Sequence, residues 1–148
     1  MKKNSMKKLL SFMLCTVLIA AMALCMIGCN DKNQVLQTEP VVFTDGQSLG
    51  EGATVFTFTV VDLDGKETKA QISTDKKILG EALMELGLIA GENAQYGLYI
   101  KTVNGITYDY DTHGVYWGFY IDGEYAMTGV DGTEIVAGST YTLKAEKM

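Results

Sequence analysis

Asp109-Tyr110-Asp111-Thr112-His113 places two carboxylates and the chain's one imidazole at alternate positions. On an extended strand all three would point to one side, which is the beginning of a three-ligand metal site. The same residues, followed by Gly114, also read as a polar loop between two strands. No fourth ligand or supporting shell accompanies them, so the loop is the expectation and no metal is assigned. Asp62-Leu63-Asp64-Gly65 opens like a calcium loop but lacks the acid at its twelfth position, and reads as a hairpin turn instead. Nucleophilic chemistry has little to work with. Past residue 29 there is no cysteine, no G-x-S-x-G turn and a single histidine, and no G-x-x-x-x-G-K-[ST] phosphate cradle occurs. None of the 18 acids stands in an apolar setting that would raise its pKa, so an enzyme is not expected.

Recognition chemistry is better supplied. Val115-Tyr116-Trp117-Gly118-Phe119-Tyr120-Ile121-Asp122-Gly123-Glu124-Tyr125-Ala126 holds the one tryptophan and three of the eight tyrosines. On a strand, Val115, Trp117, Phe119 and Ile121 share an apolar face that packs inward. Tyr116 and Tyr120 share the other face, with Gly118 leaving a shallow aromatic notch between them. Tyrosine suits a contact surface because its ring buries area while its hydroxyl stays wet. The candidate ligand-binding residues are therefore Tyr116, Trp117, Tyr120 and Tyr125. Two alternatives stay open. The tyrosines also read as ordinary cross-strand pairs, and a register slip of one residue would exchange the two faces.

The elements that must hold this segment are visible as patterns. Residues 54–60 alternate Thr with Val and Phe, a period-two strand with one buried face. Asp64-Gly65 then predicts a primed turn into a partner strand over 67–73. Ser73 or Thr74 can cap a helix of about three turns carrying Ile78, Leu79, Ala82, Leu83 and Leu86 on one stripe, stopped by Gly87. Strands follow over 99–103 and 106–110 around Asn104-Gly105, over 115–121 and 124–127 around Asp122-Gly123, and over 140–145. A hairpin, one helix, then several antiparallel strands implies an α+β fold of β-grasp type, one helix packed on a mostly antiparallel sheet.

The N-terminus sets location. Lys2, Lys3, Lys7 and Lys8 precede an uncharged apolar run from residue 9 to 28 that ends in Met26-Ile27-Gly28-Cys29. These are the parts of a bacterial lipoprotein signal, with Met26 where Leu is usual and the Cys29 thiol as acceptor of a diacylglyceryl group. A run of about 20 apolar residues also suffices for a retained membrane span. The polar stretch Asn30-Asp31-Lys32-Asn33-Gln34 favours processing before Cys29, and on either reading the downstream residues face the extracytoplasmic side of the cell membrane. Two acyl chains hold a protein on a membrane where one is marginal. The expected organisation is a signal over 1–28, lipidated Cys29 and a flexible tether over 29–52 with one strand at Val41-Val42-Phe43, and one domain over 53–148. After the cut, eight lysines face 18 acids, a formal charge of −10 without any arginine. That excludes nucleic-acid binding and a polybasic membrane contact. Cys15 and Cys25 leave with the signal, so the domain has no disulfide.

The segment from Tyr116 to Gly123, with an aromatic, Trp, a second aromatic and a polar-Gly turn, resembles the Trp-x-x-Tyr-x-x-Asn-Gly stretch of the transcobalamin C-terminal-like (DUF4430) family. Asp122 replaces the usual Asn. Gly129-Val130 and Ile135-Val136-Ala137-Gly138 are similar to the family's closing stretch, with Ser139 where Asp is common, and Ile78-Leu79-Gly80-Glu81-Ala82-Leu83 sits where its short helix lies. The resemblance implies a β-grasp-like domain. It also implies a small ligand such as the corrinoid cobalamin, capped on one face while a partner holds the other. The alternative is a cell-surface module that meets an envelope protein and takes no small ligand.

Overall fold

The computed structural model describes residues 39–148. The lipoprotein signal, Cys29 and the start of the tether lie outside the described residues. Nine strands and two short helices follow in order: β1 (Gln47–Leu49), β2 (Thr54–Val61), β3 (Glu67–Thr74), α1 (Leu79–Glu85), β4 (Ile89–Ala94), β5 (Gly97–Val103), β6 (Ile106–Thr107), α2 (Tyr110–His113), β7 (Val115–Ile121), β8 (Glu124–Tyr125) and β9 (Thr140–Lys147). Six strands form one sheet in the order β1-β3-β2-β9-β7-β8, and β4-β5-β6 form a second. The first hairpin and the last strand lie side by side because β9 runs parallel to β2, Thr59 opposite Thr142. This is the expected α+β arrangement. It is mixed rather than wholly antiparallel, since β1 also pairs parallel to β3.

Alternation in β2 works as read. Phe56, Phe58 and Val60 are buried at 1%, 0% and 2% exposure, and Thr57 and Thr59 take the opposite face. The two Asn/Asp-Gly turns expected after β5 and β7 are of the primed type, with φ of 49° at Asn104 and Asp122 followed by positive-φ glycines. The first hairpin differs. Five residues separate Val61 from Glu67, and the Asp62 carboxylate accepts from the amides of Asp64 and Lys66 at 2.9 Å each. A side chain that closes its own loop removes the need for a two-residue turn.

Helix α1 is shorter than its apolar stripe and begins after Ile78, without a side-chain cap. Thr74 ends β3, and its hydroxyl accepts from Lys76 N at 3.0 Å, so it turns the chain rather than starting the helix. Leu88 N donates to Leu83 O and Gly87 N to Met84 O, a paired helix stop that also buries Leu88. Gly80 lets the helix approach the 3₁₀ turn Val130–Gly132, where an added Cβ would lie 3.1 Å from Asp131 backbone atoms.

Two expectations near the edges fail. Val41-Val42-Phe43 is not a strand; the strand of that region is β1. Nor is it loose tether, because Phe43 is 2% exposed, packs 5.9 Å from the Phe58 ring, and donates its amide to Asn104 Oδ1 at 2.7 Å. Phe43 is accordingly part of the packed core, although it lies ahead of residue 53. Strand β4 carries no alternation, since only Ile89 of its six residues is buried, and pairing with β5 alone defines it.

Candidate functional site

Strand β7 puts Val115, Trp117 and Phe119 inward, at 1%, 8% and 8% exposure, and leaves Tyr116 and Tyr120 half-buried on the outer face. The hairpin to β8 sets Tyr125 opposite Tyr120, with ring centroids 5.4 Å apart and nearly perpendicular. The structure therefore brings Tyr116, Tyr120 and Tyr125 together as a cluster, and places Trp117 on the other side of the same strand.

The notch expected at Gly118 is not empty. Glu146, opposite Tyr116 on β9, extends across it, so that a Cβ at Gly118 would stand 2.5 Å from Glu146 Oε2. Tyr116 donates to that oxygen at 3.1 Å and Tyr120 to Oε1 at 2.8 Å, while Lys144 Nζ sits 3.3 Å from Oε1. Burial works to raise the Glu146 carboxyl, but the hydrogen bonds from Tyr120, Lys144 and Tyr116 together outweigh it and hold it below the ordinary carboxylate range. In return, the hydrogen bond to Glu146 and then burial push the Tyr120 phenol up to about 12, and the same causes raise Tyr116. Glu146 lies one residue past the strand predicted over 140–145, and the longer strand β9 is what brings it opposite Tyr116.

Beside this cluster β7 has an open edge. Strand β8 pairs with Tyr120 and Ile121 only, and its final tie is Ala126 N donating to Phe119 O at 2.9 Å. Main-chain groups alternate along an antiparallel strand, so those of Trp117 point the same way as Phe119's, to the side where β8 has ended. Among the described residues no strand pairs with that stretch. A cleft of about 450 Å³ opens there, between Leu98 and Ile100 of β5 on one wall and Tyr125 to Val130 on the other. Tyr116 and Trp117 both reach it, from opposite faces of β7. Trp117 is fixed by donating Nε1 to Lys101 O at 3.1 Å and by Tyr108, 5.5 Å away. Met127, at 95% exposure, stands at the rim; the strand expected over 124–127 ends at Tyr125, which leaves Met127 past the last paired residue.

The alternate carboxylates and imidazole do not converge. Asp109 N donates to His113 Nδ1 at 3.0 Å, and the Asp109 carboxylate accepts from Thr112 N while pairing with Lys101 at 3.1 Å. The Lys101 hydrogen bond lowers the Asp109 pKa against the opposing effect of burial. The segment coils into the single turn α2 rather than a strand, which ends the one-sided arrangement. Among the described residues no group of three His, Cys, Asp or Glu is placed to hold a metal ion.

Residues 77–147 match the family described as Domain of unknown function (DUF4430). A protein from Ruminococcus gnavus ATCC 29149, described as a candidate metal binding protein, is 33% identical, with a TM-score of 0.61 over 65% of this chain and 99% of that one. Haptocorrin in complex with Cbi shares the fold at a TM-score of 0.50 and 14% identity, over 67% of this chain. The chain spans 26% of haptocorrin's length. Comparison with curated proteins gives no match.

Proposed function

The chain belongs to the DUF4430 family, and from that premise we propose that it is an exported binding module, tethered through lipid at Cys29 to the extracytoplasmic face of the cell membrane. It takes a small ligand, a corrinoid or another ring-bearing molecule, in the cleft beside β7. The carrying observation is that cleft: about 450 Å³, walled by tyrosine and aliphatic side chains and crossed by the free main-chain edge at Trp117. Pockets for small molecules are concave, mostly apolar, and supplied with a few fixed polar groups. The fold shared with haptocorrin in complex with Cbi supports the ligand class. Because the cleft is open on one side, a partner closes it over the ligand. No catalytic role is proposed.

Titrating the full chain in detergent with cobalamin while following the fluorescence of Trp117, the one tryptophan, tests this reading. Saturable quenching that weakens roughly tenfold in Tyr125→Ala is expected, the loss typical of an aromatic anchor. No change in fluorescence or corrinoid absorbance at millimolar ligand would discard a self-sufficient site. Labelling of cells with palmitate addresses the tether: label and membrane residence are both expected to vanish in Cys29→Ser.

A second reading has its own observation, the open edge itself. An extended segment of an envelope protein can add as a strand to unpaired edge groups such as those at Trp117. Pull-down of a partner that is lost on Trp117 edge blockade but unaffected by cobalamin would favour it.

A further inference from the structure

The outer face of the six-stranded sheet holds a second concavity, on the far side of the sheet from the core. Its floor is Thr59, which is 3% exposed, and its Oγ1 is a buried side-chain oxygen with no hydrogen-bond partner. A buried hydroxyl left unpaired is destabilising, and native folds keep few of them. The strand register explains the position. Lys69, Thr59, Thr142 and Tyr120 form one continuous row across β3, β2, β9 and β7. Thr57 and Thr140 form the row beside it. Thr57, Thr59, Thr140 and Thr142, with Lys69, Glu67 and Asp122, line a hollow of about 420 Å³.

The charges around the hollow narrow its occupant. Lys69 is paired with Glu67 at 2.9 Å, and Asp122 adds a second carboxylate. An anion would meet two acids, and a cation would have to displace the Lys69 ammonium from Glu67 and the Thr140 amide from Asp122. A neutral molecule rich in hydroxyls meets neither penalty, and each threonine hydroxyl can both donate and accept, as a sugar hydroxyl does. We propose that this threonine-lined hollow is a saccharide-binding site, with the Thr59 hydroxyl completed by a ligand hydroxyl. It is separate from the cleft beside β7 and stands without it.

The test uses the full chain, isotope-labelled, in a detergent without a sugar headgroup, titrated with chitotriose and with maltotriose. At millimolar sugar the amide resonances of Thr59, Thr142 and Lys69 are expected to shift with one of the two. Thr59→Val is isosteric, so it should raise Tm by removing the unpaired hydroxyl and weaken sugar binding at least tenfold. Thr59→Ser, which keeps the hydroxyl, should retain binding. The proposal is overturned if neither sugar moves these resonances, or if Thr59→Val binds as well as the native chain. It is equally overturned if Thr59→Val lowers Tm, because the hydroxyl would then already be satisfied by water. Quenching of Trp117 by cobalamin should be the same in Thr59→Val as in the native chain, so loss of one site is read apart from the other.

Discussion

Along β7 the inward residues Val115, Trp117 and Phe119 meet apolar neighbours and a single carbonyl, whereas the outward Tyr116 and Tyr120 converge on one carboxylate, Glu146. The same division runs through the whole six-stranded sheet. Its inner face is mostly apolar and held by area, with Trp117 and Tyr141 each tied to main-chain groups, and its outer face is threonine, tyrosine, lysine and glutamate held by direction. Area-driven packing is indifferent to pH and tolerant in angle. A phenol-carboxylate cluster depends on protonation state and on tenths of an ångström. The difference teaches where stability and where specificity reside in this fold.

The sharpest way to break the comparison is to injure the inner face. Phe58 is fully buried against Phe43, and Phe58→Ala should cost about 3–5 kcal/mol. Denaturant unfolding would read this as a lowered midpoint with an unchanged slope. Next comes a polar clamp inside the core. Asn104 holds a left-handed φ of 49° and clasps both the amide and the carbonyl of Phe43, at 2.7 and 3.3 Å. Asn104→Ala leaves the buried Phe43 amide unpaired, and about 1–3 kcal/mol should be lost. Hydrogen exchange over residues 41–46 should quicken first, since that segment loses its tie before the sheets do.

The smallest effect at neutral pH, and the most diagnostic, belongs to the outer face. Tyr120 is raised from its ordinary 10.0 to about 12, so its contribution to stability is complete below 10 and is lost as pH climbs through 12. Glu146 is lowered from its ordinary 4.5, so its contribution is present above that value and is lost as pH falls through the depressed one. Glu146→Gln keeps an acceptor without the charge. It should return the Tyr120 phenol toward 10 in an ultraviolet titration and flatten the stability profile at both ends. An unchanged Tyr120 titration would show that burial rather than Glu146 controls the phenol.

Much of the scaffold was legible because its signals are local. The Thr/Phe alternation of β2, the helix stop at Gly87, and the primed turns at Asn104-Gly105 and Asp122-Gly123 each follow from a few adjacent residues. The facing of Tyr116 and Tyr120 away from Trp117 was likewise fixed by a period of two. The candidate site was only half legible. Its tyrosines could be read, but the open edge at Trp117 exists because β8 stops after two paired residues, and nothing in Ala126-Met127-Thr128 announces that stop.

What the chain order alone determined is therefore the first hairpin, the helix before Gly87, the two primed turns and the inward and outward faces of the strands beside them, while β1, β4 and the turn α2 left no pattern in it. Only the tertiary structure decided that Phe43 belongs to the core, because its partner Asn104 lies 61 residues away. Only it could lay Glu146 across Gly118, 28 positions earlier, and turn a presumed notch into a charged hub. Period and propensity act over a few residues, while pairing of distant strands sets which side chains meet. That is why the faces could be foreseen and their occupants could not.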